Sequence, residues 1–128
     1  PIYNQAPRLI IGCAPEEFHE IASLMLSVLL RREGYQVEYL GSDLPIEDLV
    51  SYAEDTAPDM IILSAGFEHS ARPLTKMQTL LDKLPSQPKF GYGGRYFNEN
   101  PAMRQKTPGI FLGTTIGEAI QKVHDILD

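Results

Sequence analysis

The sequence is poor in cysteine, in long apolar runs and in positive charge, and each shortage excludes a class of protein. A single cysteine, Cys13, excludes an internal disulfide framework and any metal site built from several cysteines. The longest apolar stretches, such as Met60–Leu63, are far too short to span a bilayer. The chain has 11 basic residues against 17 acidic ones, a net charge of −6, whereas nucleic-acid binding needs a basic face. We therefore expect no membrane segment and no direct contact with nucleic acid.

Length and composition indicate one globular domain, residues 1–128. Hydrophobic residues make up 43% and charged residues 22% of the chain, which is close to the globular average. A chain of this length buries enough surface to form a hydrophobic core that needs no disulfide or metal ion to stabilise it. No charged-then-apolar signal segment opens the sequence, so we expect a cytoplasmic protein. Because the sequence begins with Pro1 and not Met, we expect it to be an excerpt of a longer chain.

Strand patterns and helix patterns alternate along the sequence. Short apolar or alternating runs predict five strands, at Arg8–Cys13, Gln36–Leu40, Met60–Ser64, Lys89–Tyr92 and Ile110–Leu112. Apolar residues spaced by three and four predict a helix after the first strand, with Phe18, Ile21, Ala22, Met25, Leu26, Leu29 and Leu30 on its inward face. Further helices are predicted over Ile46–Thr56, over Leu74–Leu84, and after a cap at Thr114 or Thr115. The Asn- and Pro-rich segment between the last two strands is predicted to be a loop.

This alternation predicts an α/β fold with a parallel sheet covered on both faces. The most economical arrangement is a flavodoxin-like (Rossmann-like) sheet of five strands in the order 2-1-3-4-5. Ligands of such folds bind beyond the carboxyl ends of the strands, so the residues that follow each strand are the candidate site.

His19 is the candidate metal ligand, because it follows the first strand and has Glu17 two residues before it. A metal-bound imidazole commonly donates its second N–H to a carboxylate, which fixes its tautomer. His69 and His124 are isolated in the sequence, and one protein ligand does not hold a bare zinc or iron ion. A single imidazole suffices only for a metal already held in a macrocycle, a haem or a corrin. The alternative is a solvated histidine at the start of a helix.

Small residues and hydroxyls follow the later strands, in Ser64-Ala-Gly66, Gly93-Gly94 and Gly113-Thr114-Thr115. Small residues let a bulky ligand approach the backbone, and a hydroxyl can make one specific hydrogen bond. The sequence contains no P-loop, and Tyr96 stands where the third glycine of a dinucleotide fingerprint would follow Gly91-Tyr-Gly93. Ser64 occupies the position of the phospho-accepting aspartate of a receiver domain. These three classes are excluded.

Taken together, these strings resemble the motif of the cobalamin-binding domains: Asp-x-His-x-x-Gly, then Ser-x-Leu, then Gly-Gly. The corresponding strings are Glu17-Phe-His-Glu-Ile-Ala22, Ser64-Ala-Gly66 and Gly93-Gly94. Ala22 and Gly66 depart from the motif, which has glycine and leucine at these positions. The resemblance covers about Leu9 to Val123, and it is greatest to the cobalamin domains of light-responsive MerR-type transcriptional regulators, in which glutamate replaces the motif aspartate and Gly-Gly-Arg-x-Phe is familiar.

The resemblance implies that His19 ligates cobalt from below, displacing the dimethylbenzimidazole base of the cofactor, with Glu17 as its hydrogen-bond partner. The freed nucleotide tail would enter a slot in which Ser64 hydrogen-bonds the displaced base. Gly66, Gly93 and Gly94 would clear space for the ribose and phosphate of the tail, and Ala22 would add one methyl group where the chain packs close to the tail or the corrin. Thr114 and Thr115 would add donors to the tail phosphate.

Three functions follow from the resemblance as expectations. The first is the sensory domain of a light-dependent regulator, with adenosylcobalamin held against a helical-bundle cap domain, a DNA-binding domain elsewhere in the full chain, and a possible homo-oligomer. The second is a corrinoid carrier in a methyltransferase or mutase system. The third is a domain that has lost the cofactor and serves protein contacts. In none of them is this chain itself expected to be an enzyme.

Overall fold

The computed structural model describes residues 6–128, so the expectation attached to Pro1 lies outside the described residues. Its strands are β1 Arg8–Cys13, β2 Gln36–Gly41, β3 Met60–Ser64, β4 Lys89–Gly93 and β5 Ile110–Phe111. They form one parallel sheet in the order β2-β1-β3-β4-β5. The predicted fold class and strand order are confirmed.

Seven α-helices are described, and they cover both faces of the sheet. The helices are α1 Ile21–Arg32, α2 Ile46–Thr56, α3 Glu68–Ala71, α4 Met77–Asp82, α5 Arg95–Glu99, α6 Pro101–Gln105 and α7 Ile116–Leu127. Side chains alternate along each strand, so Leu9 and Ile11 pack under α1 and α7. Ile10 points to the other face, where α2 to α5 pack.

The predicted inward face of α1 is partly wrong. Phe18 precedes the helix, and Ile21 and Met25 are exposed. The buried positions of α1 are Ser23, Leu26, Ser27 and Leu30. Two small serines face the sheet with their hydroxyls hydrogen-bonded: Ser27 Oγ donates within the helix to the carbonyl oxygen of Ser23 at 2.9 Å, and Ser23 Oγ lies 2.9 Å from Ser64 Oγ of β3.

Two predicted segments differ from the structure because of proline. A continuous helix over Leu74–Leu84 is wrong: a 3₁₀ helix, Arg72–Lys76, separates α3 from α4. Pro73 lies in its first turn, where it removes an N–H and disfavours the α conformation of the residue before it. The predicted loop after β4 is also wrong, because it folds into α5 and α6, and Pro101 begins α6.

Candidate functional site

Two adjoining cavities lie at the carboxyl ends of the strands. The larger, which we call the upper cavity, has a volume of about 500 Å³ and lies over the loop between β1 and α1 and the start of the β3–α3 connection. The smaller, which we call the slot, has a volume of about 320 Å³ and lies among α1, α5, the start of α7 and the ends of β3, β4 and β5. Both are lined by Ala22, Ser64, Gly94 and Arg95. A ligand can therefore extend from one cavity into the other.

Glu17 and His19 form the polar centre of the upper cavity. His19 Nδ1 lies 2.9 Å from Glu17 Oε2, and the same oxygen accepts the backbone N–H of His19 at 3.1 Å. Glu17 is 1% exposed, whereas the side chain of His19 is 78% exposed. Since Nδ1 is engaged by a fixed carboxylate, Nε2 is the ring nitrogen left to face a ligand.

The Glu17 carboxylate is held in its charged form. Burial would raise its pKa, but hydrogen bonds from the backbone N–H of Gly66 and from His19 outweigh burial, so the pKa lies below its ordinary value. An anionic partner at Nδ1 increases the basicity of the imidazole toward a metal. This arrangement suits a histidine that must act as a single axial ligand.

Ser64 stands at the end of β3, between the two cavities. Its Oγ lies 2.9 Å from Ser23 Oγ and 3.6 Å from the sulfur of the buried Cys13. A serine hydroxyl can accept one hydrogen bond while donating another. Ser64 can therefore accept from Ser23, and its own proton, which it donates to the Cys13 sulfur in this structure, can turn to a ligand instead.

The three candidate glycines have different surroundings. A Cβ atom at Gly93 would meet no heavy atom within 4 Å, so Gly93 borders open space in the slot. Gly94 has a φ of +112°, and a Cβ there would lie 2.4 Å from the carbonyl oxygen of Ala65. Gly66 borders the upper cavity and not the slot, and its Cβ would lie 3.0 Å from Glu17 Oε1. Gly66 thus makes room for the Glu17 carboxylate.

Thr114 and Thr115 line the slot at the start of α7. The Oγ of Thr115 accepts the backbone N–H of Glu118 at 3.1 Å, which is the N-cap expected from the sequence. The hydroxyls of Thr114 and Thr115 donate to Glu118 Oε1 at 3.1 and 3.4 Å. Both hydroxyl protons are therefore engaged by a carboxylate in this structure.

Several residues that line the two cavities have no predicted role in ligand binding. Arg95 and Asn98 lie three positions apart on α5, and their predicted assignment to a loop concealed that they share a helical face. Phe18 and Phe67 are 64% and 46% exposed at the rim of the upper cavity. Phe18 was predicted on the inward face of the first helix, and Phe67 comes close to His19, with ring centroids 5.6 Å apart, only in the folded chain.

Two other features of the described residues bear on ligand binding. His69 stacks on Phe67, with ring centroids 5.6 Å apart, and lines a separate surface hollow instead of the upper cavity. No group of three or more His, Cys, Asp or Glu side chains within residues 6–128 could hold a metal ion.

No helix in the described part of the chain is long and apolar enough to cross a membrane.

The residues present fit a corrin cofactor on two observations. One imidazole with an anionic partner faces a wide cavity, and a narrower slot opens from that cavity beside Gly93, where a side chain is missing. Asn98, which lines the slot, has a buried side-chain acceptor, Oδ1, without a hydrogen-bond partner among the described residues. The site thus defines a ligand-binding module of flavodoxin-like fold with room for a macrocycle and an attached tail.

The family model described as B12 binding domain matches residues 7–120. The chain therefore belongs to the B12-binding domain family, as the motifs predicted.

Two kinds of curated relative are similar to the chain. Dimethylamine corrinoid protein 3 from Methanosarcina acetivorans is 33% identical over 121 residues, which is 93% of this chain and 56% of the relative. The HTH-type transcriptional repressor CarH from Myxococcus xanthus is 31% identical over 98 residues, which is 76% of this chain and 33% of the relative. The repressor CarA of the same organism is 34% identical over 58 residues, 45% of this chain and 20% of the relative. The chain thus spans about half the length of the first relative and less of the repressors.

Solved structures confirm the fold. A cobalamin-binding protein from Desulfitobacterium hafniense matches with a TM-score of 0.86 at 17% identity, covering 97% of this chain and 60% of that one. The methanol:cobalamin methyltransferase complex MtaBC from Methanosarcina barkeri matches at 0.80 and 21% identity, covering 94% and 46%. The receiver domain of NarL from Mycobacterium tuberculosis matches at 0.62 and 17% identity, covering 94% of each chain. The fold alone is therefore shared with receivers, and the site residues distinguish the two classes.

Proposed function

We propose that this B12-binding domain holds cobalamin with His19 Nε2 as the lower axial ligand of cobalt and the nucleotide tail in the slot. The observation that carries the proposal is the Glu17–His19 pair at the upper cavity: a fixed carboxylate at Nδ1 and an exposed ring. When bound, the cofactor supplies the cobalt–carbon chemistry, and the residues of this chain bind and orient it.

In this arrangement Ser64 hydrogen-bonds the displaced dimethylbenzimidazole base. Ser64 lines both cavities, and its hydroxyl can accept from Ser23 while it exchanges its long hydrogen bond to the Cys13 sulfur for one to a ligand in the slot. Gly93 leaves the space that the tail occupies. Ala22 borders both cavities on an exposed turn of α1, so its methyl group narrows the passage between them without closing it.

The test is an ultraviolet–visible titration with hydroxocobalamin, followed by desalting. The wild-type chain is expected to retain colour and to shift the cobalamin spectrum as the imidazole replaces the benzimidazole. His19→Ala removes the ligand atom and is expected to weaken binding at least about tenfold, the effect of one lost interaction of about 1.4 kcal/mol. The exposed His69, which lines a separate hollow, provides the matched control His69→Ala, which should bind as the wild type does. Equal spectra for the wild type and His19→Ala would show that His19 does not ligate cobalt.

We further infer that a second domain covers the bound cofactor from above. The support is apolar surface at the rim of the upper cavity, where Phe18, Ile21 and Phe67 are 64%, 77% and 46% exposed. Exposed apolar patches of this kind mark contact surfaces. A helical-bundle cap domain in the full chain would bury them against adenosylcobalamin.

The role of the whole protein has two candidates, each with an observation in its favour. A light-dependent transcriptional regulator is favoured by the similarity to CarA and CarH and by Gly93-Gly-Arg-Tyr-Phe97 with glutamate at position 17. A corrinoid carrier of a methyltransferase system is favoured by the alignment with a dimethylamine corrinoid protein over 93% of the chain.

We place the regulator first, and the full-length protein tests it. A regulator loaded with adenosylcobalamin should bind DNA in the dark and release it after illumination, in a gel-shift assay. A carrier should accept a methyl group on its bound corrinoid and should bind no DNA in either condition.

A further inference from the structure

The structure contains one cationic side chain at the junction of the two cavities. Among the residues lining the upper cavity and the slot, Arg95 alone carries a guanidinium or ammonium group, and it lines both. Its side chain is 77% exposed, and its Nε donates to Glu99 Oε2 at 3.2 Å. Such exposed pairs contribute little to stability. Arg95 can therefore exchange Glu99 for an anionic ligand at small cost.

Asn98 lies one turn further along α5 and also lines the slot. Its Oδ1 is buried and has no hydrogen-bond partner among the described residues. A buried acceptor without a partner is unfavourable. A rotation of the Asn98 side-chain amide that brings Oδ1 to the slot would let a hydroxyl donor of a ligand satisfy it. Arg95 and Asn98 are spaced i and i+3, so they lie on the same side of the helix.

The start of α7 is the other place where a phosphate could be expected, but it already carries a negative charge. The hydroxyls of Thr114 and Thr115 both donate to the carboxylate of Glu118. An anionic group entering this end of the slot would have to displace that carboxylate or lie against it. The α5 side also carries a carboxylate, Glu99, but there it is paired with Arg95, the one guanidinium among the residues lining the slot. A phosphodiester that replaces Glu99 therefore gains a cationic partner on the α5 side.

We propose that α5 recognises the phosphoribosyl part of the cobalamin tail: the guanidinium of Arg95 pairs with the phosphodiester, and Asn98 Oδ1 accepts a hydrogen bond from a ribose hydroxyl. The inference rests on the proposed function, since it concerns the same bound cofactor. It predicts that these two residues act on complete cobalamin and not on cobinamide, a corrinoid that lacks the phosphodiester, ribose and base.

The experiment titrates hydroxocobalamin and diaquocobinamide into the wild type, Arg95→Gln, Arg95→Lys and Asn98→Ala. Arg95→Gln is expected to weaken cobalamin binding about tenfold, the scale of one charge-assisted hydrogen bond, and to change cobinamide binding less than about twofold. Asn98→Ala should show the same selectivity with a smaller loss. Arg95→Lys keeps the charge and should restore most of the cobalamin affinity.

Arg72 provides a matched control, because it is also exposed and also pairs with a glutamate four residues away, Glu68, but lies outside both cavities. Arg72→Gln should bind both corrinoids as the wild type does. The inference is overturned if Arg95→Gln binds cobalamin as tightly as the wild type does. It is also overturned if the substitution weakens the binding of cobalamin and cobinamide by the same factor. If the wild type binds neither corrinoid, the proposed function itself fails.

Discussion

Gly93 and Gly94 are adjacent, yet the structure assigns their missing side chains to different purposes. At Gly93 a Cβ would meet open space in the slot, whereas at Gly94 it would lie 2.4 Å from the carbonyl oxygen of Ala65 on a backbone with φ of +112°. The absence of a side chain at Gly94 serves the fold, and we propose that its absence at Gly93 makes room for the ligand. The sequence predicted the pair as a ligand loop, but it could not separate the two roles, because the separation depends on the approach of Ala65 from another strand's connection.

This difference predicts opposite phenotypes for two alanine substitutions. Gly93→Ala should change the free energy of unfolding by less than about 1 kcal/mol, because its methyl group enters unoccupied space, but should weaken cobalamin binding at least about tenfold by filling the slot. Gly94→Ala should cost about 1–3 kcal/mol of stability through strain and overlap. Urea denaturation and cobalamin titration of both variants measure the two effects. Normal cobalamin binding by Gly93→Ala would show that the nucleotide tail does not lie beside Gly93.

At the scale of the secondary-structure element, the start of α7 combines an N-cap with the wall of the slot. Thr115 Oγ accepts the N–H of Glu118, and its sequence context, Thr-x-x-Glu, is the pattern of a capping box. Thr114 precedes the cap, and its hydroxyl contacts only the Glu118 side chain among the described hydrogen bonds. The stability of α7 therefore depends more on Thr115 than on Thr114.

We expect Thr115→Ala to lower the free energy of unfolding by about 1 kcal/mol, the usual effect of removing an N-cap side chain. Thr114→Ala, the matched control, should lower it by less than about half of that, since it removes no hydrogen bond to the helix backbone. Chemical denaturation followed by circular dichroism measures both. Equal losses in the two variants would contradict the capping role of Thr115.

The elements that the sequence predicted correctly are those in which no large apolar side chain is exposed. Met60–Ser64 is buried along most of its length, and the inward residues Ala119 and Val123 of α7 are buried as expected. Helix α1 was misread because it has apolar residues on two sides: Leu26 and Leu30 face the sheet, while Ile21 and Met25 face outward. The spacing of apolar residues shows that they share one side of a helix. It does not show whether that side packs against the core or lies at the surface.

The candidate site shows the same limit. His19 and Ser64 were predicted by position, since His19 lies in the segment between the first strand and the first helix and Ser64 ends the third strand. Arg95 and Asn98 were not, because their helix begins immediately after Gly94 without an apolar period to announce it. The pairing of Gly66 with Glu17 also depends on tertiary contact between two loops, which neither local sequence contains.

At the scale of the whole molecule, a cluster of polar side chains joins the end of α7 to the connection between α1 and β2. His124 Nε2 lies 2.6 Å from Glu33 Oε1, and its Nδ1 lies 2.7 Å from the hydroxyl of Tyr35 and 2.5 Å from Asp128 Oδ2. Tyr35 also donates to Asp128 Oδ1 at 2.8 Å. Hydrogen bonds to Glu33 and Asp128 raise the pKa of His124 above its ordinary value. Hydrogen bonds from Tyr35 and His124 lower the pKa of Asp128.

These shifts predict how stability depends on pH. A raised pKa means that the contribution of His124 is fully present below its ordinary value of 6.5 and is lost as the pH rises through the folded value. The contribution of Asp128 is present above its ordinary value of 3.8 and is lost as the pH falls through its lowered value. The cluster should therefore stabilise the fold most between about pH 4 and pH 6.5.

Urea denaturation of the wild type and His124→Gln between pH 5 and pH 8.5 tests this expectation. The difference in unfolding free energy between the two proteins should be largest at pH 5 to 6 and should shrink steadily toward pH 8.5, because the wild-type imidazole loses its charge there. His69→Gln is the control, since His69 stacks on Phe67 and contacts no carboxylate among the described ion pairs; its difference from the wild type should not follow the same course. A His124→Gln difference that is constant across this range would show that the cluster holds α7 in place by packing alone, without the imidazolium charge.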